Sequence, residues 1–156
     1  MRICIVMVLM LHSIMFASAV SAVMYERPVP VSVSIVTNKD SSALEIETDN
    51  DAFQAIYDVA MKGFFPLTIP FKVRSVSGQN VNYDLFVSQL AGQCGDKSPL
   101  ALTTELDGTV IQLNEKRRAA GVDNDHLIVI SFPSIPQSDI EQHCDGSMSL
   151  VAELVI

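Results

Sequence analysis

Apolar residues recur at every second position in segment after segment of this chain, the period of a strand with one buried face. The first such row is Val29, Val31, Val33 and Ile35, with Pro30, Ser32 and Ser34 between them. Leu67, Ile69, Phe71 and Val73 form a second row, and Val81, Tyr83, Leu85 and Val87 a third. Ser77-Gly78-Gln79-Asn80 separates these two, so they are expected to form a hairpin. Leu100 to Thr104 and Thr109 to Leu113 flank Asp107-Gly108 and predict a second hairpin. His126 to Phe132 and Met148 to Ile156 complete the strand-like segments, the last with Met148, Leu150, Ala152, Leu154 and Ile156 on one face.

Between these rows lie segments with weaker patterns. Asp51 to Gly63 fits either a helix or a short strand followed by a turn at Lys62-Gly63; its neighbours favour the strand. Gly92 to Pro99 reads as a loop holding Cys94. Asn114 to Asp125 reads as a polar connection with a helical turn over Glu115 to Ala119, and Lys116-Arg117-Arg118 within it as a solvated loop tip in preference to an anion site. Short strands separated by turn signals predict an all-β chain folded as an immunoglobulin-like antiparallel β-sandwich.

The start of the chain has a different character. Arg2, the apolar run Ile3 to Phe16 and the small residues Ala17 to Ala22 describe a secretory signal peptide over residues 1–22. Cleavage is expected after Ala22 or after Ala19. Removal of Cys4 with the signal leaves two cysteines in an oxidising compartment, so a Cys94–Cys144 disulfide is expected. The formal net charge of −8 argues against a nucleic-acid partner.

Candidate chemistry is sparse. The sequence holds no Gly-x-Ser-x-Gly, no phosphate-binding glycine loop and no His-Glu-x-x-His. His126 and His143 have no partner at metal-ligand spacing, and the pairs Asp49/Asp51 and Asp123/Asp125 read as turn formers. No enzymatic activity, metal or cofactor is expected. Binding or assembly is.

The order of features resembles the pilin subunits of the alternate chaperone–usher, or colonisation-factor, fimbriae. Val29-x-Val31-x-Val33-x-Ile35 is similar to their N-terminal extension. Ile56-Tyr57-Asp58, Gly63-Phe64 and Ile69 to Ser75 resemble the first sandwich strands. Pro99 to Leu102 with Leu106-Asp107-Gly108 is similar to the central hairpin, and Gly146 to Ile156 to the closing strand. The resemblance implies an extension over 23–36 and a pilin β-sandwich over 37–156 that lacks one strand. It implies polymerisation by donor-strand exchange, with Val29, Val31, Val33 and Ile35 entering a neighbouring subunit.

In the same reading Met148, Leu150, Ala152, Leu154 and Ile156 border the chain's own groove and meet a periplasmic chaperone. Partners would be neighbouring pilin subunits, the chaperone, an outer-membrane usher and a host receptor, with export through the periplasm to the cell surface. Pro28 and Pro30 carry no N–H, which concentrates pairing in Val31 to Val36. The alternatives are a self-contained secreted β-sandwich binding protein, with the valine row as an ordinary first strand, and a single-domain fimbrial tip adhesin.

Overall fold

A computed structural model describes residues 28–33, 44–95, 98–135 and 142–155, with 28–33 and 98 described by backbone alone. Residues 1–22, expected to be a signal peptide, and Ile35 and Ile156 lie outside the described residues. The described chain is all-β, and its strands form two sheets packed face to face as an immunoglobulin-like β-sandwich.

The first sheet contains β1 (Pro28–Val33), β3 (Ala52–Asp58), β4 (Gly63–Phe64), β6 (Val81–Cys94), β7 (Ser98–Pro99), β10 (Arg117–Gly121) and β12 (Cys144–Leu154). Their order is β10-β6-β12-β1-β3-β4, with β7 beside the far end of β6. The second sheet contains β2 (Leu44–Glu47), β5 (Leu67–Ser75), β8 (Thr103–Leu106), β9 (Thr109–Ile111) and β11 (Asp123–Ser131), in the order β2-β5-β11-β8-β9. All pairs are antiparallel except β1 with β12.

The alternating rows make the core. Leu67, Ile69, Phe71 and Val73 of β5 are buried against Tyr83, Leu85 and Val87 of β6 and against Met148, Leu150 and Ala152 of β12. The two rows around Ser77-Gly78 do not form the expected hairpin. β5 and β6 belong to opposite sheets, and residues 76–80 carry the chain across the core between them. Both rows bury one face, and two half-buried strands satisfy that need equally well face to face or side by side.

β6 is longer than its alternation. Register with β12 shifts between Ser149 and Leu150: Ser149 opposes Gln89, Leu150 opposes Val87, and Ser88 bulges out. The inward row accordingly passes from Tyr83, Leu85 and Val87 to Leu90 and Cys94. The expected loop from Gly92 is therefore strand as far as Cys94, because the bulge breaks the period that would reveal it. This change of parity brings Cys94 directly opposite Cys144, and the two form the expected disulfide.

Three further expectations are corrected. The paired strands around Asp107-Gly108 are β8 and β9, which abut the turn, rather than segments beginning at Leu100. Both turn residues have positive φ, 50° and 76°, the two-residue hairpin geometry that an Asp-Gly pair favours. Asn114 to Asp125 is not a connection with a helical turn: after a turn at Asn114 the basic cluster enters edge strand β10. Polar edge strands carry no apolar row for a period to detect. Finally, β11 begins at Asp123, so Asp123 and Asp125 are strand residues, held by Arg74 and Lys72 of β5 at 3.4 and 3.6 Å.

Candidate functional site

The first described strand lies inside a sheet rather than at its edge. β1 occupies the slot between β3 and β12 of its own chain. Pro28 to Ser32 oppose Ile56 to Ala52 of β3, and Val31, Ser32 and Val33 run parallel to Gly146, Ser147 and Met148 of β12. Val29 thus stands opposite Ala55, Val31 opposite both Phe53 and Gly146, and Val33 opposite Met148. Ala55 and Met148 are buried, and Phe53 packs against the core. The expected donor row is therefore in register with the core-facing residues of the slot.

Pairing is uneven along this strand. Contact with β12 spans three positions against five with β3, and parallel pairing is the weaker kind per residue. Pro28 and Pro30 offer no N–H to either neighbour.

The floor of the slot is built by two strands that approach closely. Gly146 opposes Gly92 across β12 and β6, and a Cβ at Gly146 would sit 2.8 Å from the Ala91 carbonyl oxygen. The missing side chains leave a small apolar cavity of about 20 Å³ lined by Ala55, Phe64, Leu102, Phe132 and Met148 among others. The Cys94–Cys144 bond joins β12 to β6 on the side of β12 away from the slot. Along β12, Met148, Leu150 and Ala152 are buried and Leu154 is half-buried, so the expected alternation of the closing strand is present. Beside the slot, the β3–β4 hairpin carries Ile56, Val59, Met61 and Phe65, each about half exposed.

His126 joins a part-buried chain of hydrogen bonds. Asn124 Nδ2 donates to the Tyr83 hydroxyl at 2.6 Å, which lies 2.8 Å from His126 Nε2; His126 Nδ1 lies 2.7 Å from Asp107 Oδ2. A neutral ring with its proton on Nδ1 satisfies every member, since the phenol then donates to Nε2. His126 also stacks on Phe71. Burial raises the Tyr83 phenol above its ordinary value of 10.0; the Asn124 hydrogen bond pulls it down and the Asp107 carboxylate raises it again. His143 is exposed, away from this chain, and its carbonyl accepts from Gly95. Among the described residues no three or more His, Cys, Asp or Glu side chains are grouped to hold a metal ion.

Sequence reasoning missed the glycine pair that floors the slot and the inward-facing Arg117. Gly146 had a signal, since it interrupts an alternating row. Arg117 had none.

No protein-family model matches the chain, and no curated protein matches it. Among solved structures it is similar to one described as the CooA pilin subunit from enterotoxigenic Escherichia coli. The two chains are 8% identical, with a TM-score of 0.44, over 71% of this chain and 98% of the other.

Proposed function

We propose that this chain is a structural subunit of a fimbrial fibre, exported through the periplasm and polymerised by exchange of its N-terminal strand between copies. The observation that carries the reading is the place of β1: a strand from the leading segment fills an interior position between β3 and β12. Without it, backbone groups of Ala52 to Ile56 and of Gly146 to Met148 lose their partners and the sandwich opens along one line. Any equivalent strand can restore that line, whether from the same chain, a chaperone or another copy. The ten residues 34–43 between β1 and β2 reach up to roughly 35 Å when extended, enough to place β1 in an adjoining molecule. The half-exposed apolar residues beside the slot suit a contact between subunits. In this role the protein is a structural component with no catalytic task, and its partners are neighbouring subunits, a chaperone and an usher, with a host receptor at the assembled surface.

A second reading rests on the same placement of β1. The pairing of β1 within its own sheet also suits a self-contained secreted sandwich that stays monomeric. Three versions of the mature chain separate the two: intact, lacking residues 23–36, and with Val29 to Ile35 moved to the C-terminus through a short linker. Strand exchange expects the intact chain to polymerise or to need a chaperone, the truncated chain to aggregate, and the relocated strand to give a soluble monomer. An intact chain that remains monomeric at high concentration without a chaperone rejects the fibre reading in favour of the second.

A further inference from the structure

We infer that the cleft under edge strand β10 binds one small acidic sugar, with Arg117 holding its carboxylate. The three basic residues at the start of this strand, Lys116 just before it and Arg117 and Arg118 within it, differ in their surroundings. Lys116 pairs with Glu153, and Arg118, which also lines the cleft, pairs with Asp84, each at 2.6 Å. Arg117 opposes the buried Leu85 in the β10–β6 register and so lies on the core side, where the open flank of the sandwich meets the β8–β9 hairpin. Among the described residues no carboxylate lies within ion-pair distance of it, although Asp107 lines the same cleft. An arginine of intermediate exposure with no ion pair among the described residues favours an anionic guest, and its planar guanidinium fork matches a carboxylate.

The rest of the lining narrows the class. Asp107 is 48% exposed; each of its oxygens already accepts one hydrogen bond, from Leu127 N and from His126, and keeps a lone pair. It repels a bare anion and welcomes hydroxyl donors. Thr109 adds a hydroxyl, while Leu106 and Ala119 supply apolar wall. A guest with one anionic group and several hydroxyls answers Arg117 and Asp107 together. The cleft encloses about 150 Å³, room for a single ring rather than a chain of sugars. Two strands, β6 and β12, separate it from β1, and its ligand chemistry does not depend on strand exchange.

The test is an NMR titration of the oxidised form that carries Val29 to Ile35 at the C-terminus, the version expected to be a soluble monomer, with D-glucuronate, D-glucose, inorganic sulfate and glycine in parallel. Glucuronate is expected to saturate, on the order of millimolar, with shifts centred on Thr109 and Arg117. Arg117→Gln is expected to weaken it at least about tenfold and Thr109→Val several-fold, with the amide spectrum otherwise unchanged. Should Arg117→Gln fail to fold, Thr109→Val decides the matter. Absence of saturable binding, equal binding of glucose, sulfate or glycine, or full affinity in both variants would overturn the assignment.

Discussion

The Tyr83 hydroxyl lies 2.8 Å from His126 Nε2, a hydrogen bond that ties β6 of one sheet to β11 of the other. Tyr83 is 1% exposed, so its polar atom has no recourse to water. Removing that oxygen leaves the Asn124 amide and the His126 ring without their shared partner. Tyr83→Phe is expected to cost about 1–3 kcal/mol, the range for a buried donor or acceptor left unpaired. Urea denaturation measures this, and a variant as stable as the parent would show that the bond contributes nothing.

The same residue sets an alkaline limit. Burial holds the Tyr83 phenol above 10.0 in the folded chain, whereas the unfolded phenol titrates near the ordinary value. Below that ordinary value both states keep the proton and stability does not depend on this group. Above it the folded state binds more protons than the unfolded, so stability falls as pH rises through the folded value. Denaturation midpoints measured from neutral to strongly alkaline pH should decline over that window, and Tyr83→Phe should flatten part of the decline. A decline identical in the variant would assign it to other groups.

Strands were legible wherever one face is buried: the rows of β5, β11 and β12 can be read residue by residue. Their partners were not. Leu67 to Val73 and Val81 to Val87 look like two halves of a hairpin, yet they lie across the core, because period two reports which face is buried and not which strand lies alongside. Ser88 hides the second half of β6 by shifting the inward row by one residue. Arg117 to Gly121 is hidden by its position at an edge, where polar residues suit a strand as well as a loop. The candidate slot was half legible. The valine row was visible in sequence, but its place between β3 and β12 depends on pairings more than a hundred residues apart.

Cys94 and Cys144 are joined across paired strands and enclose a sequence separation of 50 residues. Closing a loop of that size is worth up to about 4 kcal/mol through the entropy of the unfolded chain. Replacing both by serine is expected to lower stability by roughly 2–4 kcal/mol, and a reducing agent should have the same effect on the parent and none on the variant. Guanidine denaturation with and without reductant provides the measurement. Equal midpoints for oxidised and reduced parent would leave the bond without a stabilising role.

The slot offers a sharper contrast between adjacent residues. Val31 stands opposite Phe53 and Gly146, in register with the row that packs on the core, whereas Ser32 stands opposite Ala52 and Ser147. Ala52 is exposed and Ser147 is half-buried. An aspartate at position 31 would bring a charge to the apolar side of the slot, at a cost of several kcal/mol without a partner. At position 32 the same charge meets the polar side. Val31→Asp is expected to prevent β1 from seating, giving aggregation or loss of fibres, while Ser32→Asp leaves assembly within a few-fold of the parent. Sedimentation of chaperone-released protein, with electron microscopy of the product, reads both. Fibres from Val31→Asp, or equal loss from the two variants, would mean that the register of this strand with β3 and β12 does not govern assembly.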